Sequence, residues 1–377
     1  MRSARFSLRL FALGGAAALL SGALSGCHLF HRGHVEAGVR PKVILASAIP
    51  PMLPVDLTKV QPNEAGLVPI LEYHDLVKTL KTTGYQYPAS AFRKDIQWLY
   101  DHNYRPISLH DYALGRIDCP TGTSPVILTF DDALRGQFNY TADGKIDPDC
   151  AVGILDAFHA AHPDWPLKGT FFVLTDLGMD RKGRKLPPPF YQTQYAQGKM
   201  DYLVKEGFEI GNHTIHHLAG IRHWPDAKVE AELAGAAANI HHYEPNYLVD
   251  TLALPYGVFP KNKKLVISGA SGGVTYHNIC ALKAGADPAA SPMGKDFYNK
   301  NFNPYYIPRI IPGAGRYTIH YWLELMEKQK ALKYVSDGDP NTYTVNSIAK
   351  GQINLARLKN GRFHLRTYNG TQIVAGT

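Results

Sequence analysis

The stretch SPVILTFDDALRG, residues 124–136, contains the feature that decides the fold. Val126 to Phe130 form an apolar run after a proline, which predicts a buried β-strand. The run ends in two adjacent carboxylates, Asp131 and Asp132, and two like charges side by side repel each other. A nearby cation would relieve that repulsion, so the end of this strand is the first place to expect chemistry.

Further apolar runs alternate with helical patterns along the chain. Strands are predicted in LVPILEYHDL, in GTFFVL, in FEIG, near residues 251–254 and at GGVTY, and helices near residues 92–100, 150–162, 200–206 and 227–242. This alternation predicts parallel βαβ units, and their number favours a barrel over an open sheet. The expected fold class is therefore α/β, a distorted (β/α) barrel.

The chain of 377 residues divides into four predicted segments. Residues 1–26 form a signal peptide, 27–66 a tether, 67–330 the main domain and 331–377 a small β-hairpin appendage. The appendage follows from INLARLKNGRFHLRTYNGTQIV, in which two Asn-Gly turn signals separate alternating strands. With 45% hydrophobic and 19% charged residues, the composition is that of an ordinary globular protein.

The N-terminus has the pattern of a bacterial lipoprotein. Three arginines precede an apolar run that is short for a membrane span, which needs about 20 residues. The run leads to LSGC, which resembles a lipobox, so we expect Cys27 to be lipidated and to anchor the protein to a membrane. An ordinary cleaved signal peptide is the alternative. His28 replaces the Asp typical of inner-membrane retention, which favours the outer membrane, facing the periplasm, if the organism has two membranes.

Net charge and cysteine content indicate which binding partners and which cellular compartment to expect. The net charge is +8, and it falls to +5 without the three arginines of the signal peptide. The positive charge is scattered apart from RKGRK, so no nucleic-acid partner is predicted for an exported protein. Cys119, Cys150 and Cys280 remain in an oxidising compartment. Cys119 and Cys150 flank the Asp pair and are candidates for a disulfide, which leaves one thiol over.

A pair of histidines follows the third predicted barrel strand, in GNHTIHH. His213 and His217 are four residues apart, so a helical turn would place both imidazoles within reach of one metal ion. In a βα barrel the carboxyl ends of the strands meet on one face, which brings Asp132 to these histidines. Two imidazoles, one carboxylate and an open position form a catalytic zinc site. His216 competes with His217, which we prefer.

These motifs resemble those of the polysaccharide deacetylases, carbohydrate esterase family 4. TFDD, ending at Asp132, is similar to the first family motif, HTIHH to the second, and the PY of LALPYG to the core of the third. The runs PILEYHDL, FRKDIQWLYDHNYRPISL and GTFFVL are similar as well, particularly to the exported branch that acts on poly-N-acetylglucosamine. The resemblance covers residues 67–325 and implies a distorted (β/α) barrel of the polysaccharide deacetylase type.

The resemblance also implies roles for residues of this chain. Asp131 would be the general base, and Asp132, His213 and His217 would hold Zn²⁺ or another divalent metal such as Co²⁺ or Ni²⁺. The backbone N–H of Tyr256 would help to bind the oxyanion. These roles agree with metal-assisted hydrolysis, in which a metal polarises the amide carbonyl and a base takes a proton from water.

Two positions depart from the family pattern. The third motif usually begins with an arginine that orients the base, and Ala253 stands there. Arg309, which follows an apolar run in NPYYIPRI, is the hypothesis for its replacement, against a plain surface arginine. His320 in YTIHYW is the candidate general acid, although Thr318 replaces the usual leucine and an ordinary helix histidine is the alternative. His74, at the end of the first strand, is either substrate-facing or a core residue.

The sequence thus predicts a lipid-anchored, metal-dependent deacetylase acting on N-acetylglucosamine residues of a cell-envelope or exported polysaccharide. Two alternatives stay open: an O-acetyl esterase on xylan or a similar glycan, and a carbohydrate-binding protein with a decayed site, which Ala253 keeps in view. The expected partners are an acetylated polysaccharide and, through the lipid, a membrane; no oligomeric state is predicted. The loop RKGRKLPPPFYQTQY either lines the substrate groove through its aromatic side chains or is a mobile insertion.

Overall fold

A computed structural model describes residues 50–80, 85–174, 189–217, 219–313 and 315–376 of this chain. The predicted signal peptide, the lipidation site Cys27 and most of the RKGRKLPPP loop lie outside these residues. Within the described part of the chain, no helix has the length and apolarity needed to cross a membrane.

The described residues contain fourteen strands and seven α-helices. The strands are β1 (Ile70–Tyr73), β2 (Asp75–Val77), β3 (Gln86–Pro88), β4 (Tyr104–Pro106), β5 (Ser124–Asp131), β6 (Thr170–Val173), β7 (Glu209–Asn212), β8 (Thr251–Ala253), β9 (Ser268–Ser271), β10 (Val274–His277), β11 (Cys280–Leu282), β12 (Thr342–Asn346), β13 (His364–Asn369) and β14 (Gln372–Gly376). The helices are α1 (Ala89–Asp101), α2 (Leu109–Leu114), α3 (Ala151–Ala161), α4 (Ala196–Lys205), α5 (Asp226–Tyr243), α6 (Ile319–Lys328) and α7 (Leu355–Gly361).

A parallel sheet of seven strands forms the centre of the fold, in the order β1-β5-β6-β7-β8-β11, with β4 paired to β5. Residues 307–310 run beside both outer strands of this order. Ile307 bridges Leu282 of β11, and Ile310 bridges Leu71 of β1, both in parallel. The sheet therefore curls into a barrel that this segment closes, and the predicted fold class is confirmed.

Successive residues of each strand alternate between the two faces of the sheet: one faces the barrel interior, and the next faces the surrounding helices. On β5, Val126, Leu128 and Phe130 pack in the core shared with the helices, whereas Ile127 packs in a second core inside the barrel. The same alternation turns Asp131 toward the interior. The carboxyl end of β5 thus brings a carboxylate to the inside of the barrel mouth.

The helices cover the outer face of the sheet. Phe92, Ile96 and Leu99 of α1 are fully buried, which is the face that their spacing predicts. The other three predicted helices are α3, α4 and α5. Ser108 is the N-cap of helix α2, because its Oγ accepts a hydrogen bond from the backbone N–H of Asp111.

One predicted barrel strand has a different role. GGVTY does not join the barrel, because Gly272 and Gly273 form a turn with φ of +59° and +81°. Strand β10 then pairs antiparallel with β9 as a separate hairpin. Two glycines in succession supply the left-handed backbone that a tight hairpin turn needs.

The C-terminal appendage contains one hairpin and not two. Asn369 and Gly370 connect the antiparallel strands β13 and β14, as predicted. The other Asn-Gly pair, residues 360–361, lies at the end of α7. Asn354 caps this helix by accepting a hydrogen bond from the backbone N–H of Arg357, so the preceding residues are helical. Strand β12 pairs with β13 in parallel.

Part of the predicted tether packs on the domain. Leu57 is buried, Asn63 bridges Val335, and Leu67 bridges Lys333. The tether prediction is therefore wrong for residues 57–66. The error has a physical reason: the partners of this segment come from the other end of the chain, so no local periodicity marks it.

Residues 57–67 and 333–376 together form what we call the basal cap. Leu67 N donates to Leu332 O at 2.7 Å, just before β1 begins. Ser124, the first residue of β5, donates from Oγ to Tyr334 O at 2.6 Å. The basal cap therefore closes the end of the barrel at which the strands begin, opposite Asp131. Its small core includes Tyr343, and it belongs to the same compact unit as the barrel.

The three cysteines within the described residues are buried free thiols. The candidate disulfide between Cys119 and Cys150 is therefore wrong. Cys119 Sγ lies 2.9 Å from Thr123 Oγ1, and Cys150 Sγ accepts from Gly153 N at the start of α3. Each sulfur thus has its own local partner.

Candidate metal centre and active site

Asp132, His213 and His217 meet at the barrel mouth. Asp132 Oδ1 lies 3.3 Å from Nε2 of His213 and 3.3 Å from Nε2 of His217. Asp132 Oδ1 and His213 Nε2 are buried and have no hydrogen-bond partner among the described residues. Buried polar atoms that face one another without partners call for a further partner, such as a bound ion or a water molecule. Two imidazoles and one carboxylate fit a divalent cation such as Zn²⁺.

The loop after β7 places the two histidines. No helix forms across residues 213–217, all of which the structure describes, so the predicted helical turn is wrong. Thr214 and His217 instead adopt left-handed φ of +67° and +48°, a strain typical of functional sites. His213 Nδ1 lies 2.8 Å from Ala253 O, which holds the ring with Nε2 toward Asp132.

His216 has a different partner. Its Nδ1 lies 2.7 Å from Glu232 Oε1, and its backbone N–H also donates to Glu232. The structure therefore brings His217, and not His216, to the metal-ligand cluster.

Burial and neighbouring charges shift the pKa values of the residues in this cluster. Burial opposes protonation of His213, but Asp131 and Asp132 raise its pKa above the ordinary value of 6.5. Burial and His213 lower the pKa of His217. Burial works against ionisation of Asp132, but the two histidines lower its pKa below 3.8. Asp132 is therefore ionised at neutral pH, and protons compete with a metal for His213.

Asp131 is bound to a guanidinium. The Nη1 and Nη2 atoms of Arg309 donate to Oδ1 and Oδ2 of Asp131, each at 2.7 Å, and both side chains are buried. Burial works to raise the pKa of Asp131, but Arg309 and then His213 lower it below 3.8. Asp131 is thus an ionised carboxylate with a fixed orientation.

Arg309 reaches this position because it lies on the segment that closes the barrel. Its Nε donates to Lys283 O at 3.1 Å, and its Nη1 also donates to Thr129 Oγ1 at 3.2 Å. The structure therefore places a guanidinium at Asp131 even though Ala253 occupies the usual motif position. The alternative of a plain surface arginine is wrong, because Arg309 is fully buried.

His74 and Glu72 also face the site. They are two residues apart at the end of β1, and one ligand atom each of Glu72, His74 and Asp131 lies within 4.8 Å of the others. Glu72 Oε2 is 3.3 Å from Arg309 Nε. Burial raises the pKa of Glu72, and Arg309 opposes that rise. The sequence analysis missed Glu72, although strand alternation puts it on the same face as His74.

His320 lies outside this site. It is on α6, where its Nε2 is 3.2 Å from Asp95 Oδ1 of α1. Asp95 Oδ2 accepts from the hydroxyl of Tyr73, which packs among the helices. Among the described residues, no contact joins His320 to the metal-ligand cluster or to Asp131. The candidate general acid is therefore part of the outer helical layer in this structure.

Tyr256 lies three residues after the end of β8, the neighbour of β7. It lies in the short turn Pro255–Gly257 with φ of +56°, and its ring centroid is 4.7 Å from that of His217. Its backbone is therefore beside the metal-ligand cluster. The oxyanion role of its N–H stays a prediction.

Residues 118–272 match the family model described as polysaccharide deacetylase. The matched residues include both aspartates of the site, His213, His217 and Tyr256. The chain carries a polysaccharide deacetylase domain. Glu72, His74 and Arg309 complete the site of this deacetylase domain from outside the matched residues.

Several solved structures are similar to this chain. The deacetylase PplD of Streptococcus pyogenes, in complex with acetate, is 17% identical, with a TM-score of 0.47 over 65% of this chain and 92% of that one. BC0361, a polysaccharide deacetylase from Bacillus cereus, is 16% identical, with a TM-score of 0.47 over 71% and 69%. IcaB from Ammonifex degensii is 14% identical, with a TM-score of 0.45 over 71% and 97%. No curated protein matches the sequence.

Proposed function

We propose that this protein is a metal-dependent N-deacetylase that acts on N-acetylglucosamine residues of a cell-envelope or exported polysaccharide. The proposal is supported above all by one juxtaposition: the unpartnered atoms of Asp132 and His213 lie beside Asp131, which Arg309 holds ionised. It extends to a lipid anchor on Cys27, with the domain at the outer membrane, facing the periplasm, in an organism with two membranes.

Asp132, His213 and His217 would hold the metal, with Zn²⁺ as the proposed ion. When bound, the metal would polarise the acetamide carbonyl and lower the pKa of a water molecule. His213 is prepared for this role because its Nδ1–H donates to Ala253 O, which leaves the Nε2 lone pair free toward the site.

Asp131 acts as the general base in this proposal. It takes a proton from the water that adds to the carbonyl carbon, a contribution typically worth about 10²–10⁴-fold in rate. Arg309 keeps the carboxylate ionised and fixes its plane. The backbone N–H of Tyr256 donates to the oxyanion that forms on the carbonyl oxygen.

His74 acts as the general acid, in place of His320. As the carbon–nitrogen bond breaks, His74 gives a proton to the amine nitrogen, so that acetate and a free amino sugar leave. One carboxylate oxygen of Glu72 lies within 4.8 Å of a ring nitrogen of His74, so the two side chains share this side of the site. The intact set of acid, base and metal ligands argues against a decayed binding protein.

The test measures acetate release from N-acetylglucosamine oligomers by the full chain in detergent, with Zn²⁺, with a chelator and after metal is restored. Chelation should abolish release, and Asp131→Asn should lower kcat by about 10²-fold or more while the bound metal stays at the wild-type level. Release that ignores both the chelator and Asp131→Asn would refute the proposal. Release only from O-acetylated xylan would assign an esterase.

A further inference from the structure

Exposed tyrosines border the metal-ligand cluster. Tyr85 lies edge-on to His74 at 5.6 Å between ring centroids, and Tyr256 lies 4.7 Å from His217. Tyr191 is 44% exposed, and the hydrogen bonds of the residues on either side of it place it near the same barrel mouth. Large aromatic side chains left in solvent around a cleft are typical of ligand contact surfaces.

Tyr191 lies on a strained turn that is fastened to the site. Phe190 and Tyr191 have φ of +60° and +69°, a conformation that costs energy in residues other than glycine. Phe190 N donates to Ala133 O at 2.8 Å, and Ala133 directly follows Asp132. The turn is therefore anchored one residue from a metal ligand.

A buried lysine holds the other side of this turn. Lys199 is fully buried on α4, and its Nζ donates to Phe190 O at 2.8 Å. Burial lowers the pKa of Lys199 to about 8, with Cys150 opposing the shift and Arg135 adding to it. Burying a lysine side chain costs free energy unless it is hydrogen-bonded. The hydrogen bond from Lys199 therefore fixes the Phe190 carbonyl, and with it the turn.

The next residue locks the turn again. Gln192 Oε1 accepts from Tyr140 N, and Gln192 Nε2 donates to Tyr140 O, each at 2.8 Å. Between these hydrogen-bonded neighbours, the Tyr191 side chain remains partly exposed to solvent. Partial burial, with the charges of Asp75 and Asp132 adding to it, raises the pKa of its hydroxyl, so the phenol is uncharged at neutral pH.

We propose that Tyr191 is a substrate-positioning residue, whose ring packs against a sugar unit next to the one that loses its acetyl group. The inference rests on the proposed function, because it takes the substrate to be an acetylated polysaccharide. A flat aromatic ring presents an apolar face to the C–H groups of a sugar and a hydroxyl to its polar edge. A preorganised ring loses little conformational freedom on binding.

The experiment compares an N-acetylglucosamine pentamer with the monosaccharide, which has no neighbouring sugar, using the full chain. Tyr191→Ala should lower kcat/KM for the pentamer about tenfold, mainly through KM, and change kcat/KM for the monosaccharide less than twofold. Tyr191→Phe should stay near the wild type, because it keeps the ring. Lys199→Met should cause the same selective loss, since the Phe190 carbonyl loses its donor. Tyr298→Ala is the matched control, because Tyr298 is exposed and pairs with Asp287 away from the site.

Binding supplies a readout that does not depend on turnover. Calorimetry with the pentamer compares Asp131→Asn with the double variant that also carries Tyr191→Ala, and the double variant should bind about tenfold more weakly. Equal losses on the pentamer and on the monosaccharide, or unchanged pentamer binding, would overturn the role of Tyr191. A wild type that binds the pentamer through Tyr191 but releases no acetate would instead refute the proposed function alone.

Discussion

Asp131 and Asp132 are adjacent in sequence, yet each has a different main partner. Asp131 pairs with Arg309 from the closing segment, whereas Asp132 faces the imidazoles of His213 and His217. The positive φ of Asp132, +77°, turns the chain at the end of β5 so that both side chains reach the mouth. The repulsion between neighbouring carboxylates is thus relieved by two separate partners.

The two candidate acids can be separated by a matched pair of variants. His74→Gln should lower kcat by about 10²-fold or more, because the leaving amine loses its proton donor. His320→Gln should keep kcat within about threefold, since His320 contacts Asp95 in the outer layer and its loss removes only a partly exposed ion pair. Acetate release measured for both gives the answer, and the opposite ranking would restore His320 as the acid.

At the residue scale, motif spacing was informative wherever the site residues follow directly after strands. Asp131, Asp132, His213 and His217 were predicted from two short motifs, and the structure brings all four together. Arg309 was a hypothesis, because its approach to Asp131 depends on a closure between distant segments. The position of His320 beside Asp95, outside the site, could not be predicted for the same reason, since the packing direction of α6 is not encoded in YTIHYW.

At the level of elements, a glycine permits the barrel closure that carries Arg309. A Cβ on Gly285 would lie 1.9 Å from the carbonyl oxygen of Arg309 and 2.5 Å from its backbone nitrogen. Gly285→Ala must therefore displace the closing segment. We expect a loss of about 1–3 kcal/mol in the free energy of unfolding, as for overpacked cores, together with a large fall in turnover.

Gly198→Ala is the control for this substitution. Gly198 lies in α4, and nothing stands within 4 Å of the position a Cβ would take. This variant should gain about 0.5–1 kcal/mol, because alanine is the better helix former. Denaturant unfolding and acetate release measure both effects. Equal stability of the two variants would contradict the tight approach at Gly285.

Most elements could be predicted from local patterns, and the exceptions share a cause. Apolar runs predict the buried strands, and the helical spacing of apolar residues predicts α1. The roles of GGVTY and of the first Asn-Gly pair could not be predicted in this way, because a turn signal does not specify which elements flank the turn. Asn354 as an N-cap decided that the residues before Asn360 form a helix.

For the whole molecule, Glu64 ties the basal cap together. Its carboxylate is buried and accepts from Tyr334 Oη at 3.0 Å, Asp337 N at 3.2 Å and Thr344 N at 2.6 Å. Burial and then the charge of Asp337 raise the pKa of Glu64 well above 4.5. Native Glu64 therefore keeps its proton to higher pH than Glu64 of the unfolded chain.

This raised pKa predicts how stability depends on pH. Because the folded chain binds the extra proton, Glu64 makes stability fall as pH rises from about 4.5 through its native pKa, by at most about 1.4 kcal/mol per pH unit. Glu64→Gln cannot titrate, so its stability should fall less over the same range. Chemical unfolding of both proteins from pH 4.5 to 8 tests this, and parallel curves would disprove it.

The position of the basal cap also separates the first described residues from the mouth. Pro50 O lies 2.9 Å from His364 Nε2, and Leu53 N donates to Asp339 at 2.8 Å, so residues 50–53 pack on the cap. These residues therefore lie at the opposite pole of the barrel from the mouth. A long glycan strand, the proposed substrate, could cross the mouth without meeting this part of the chain.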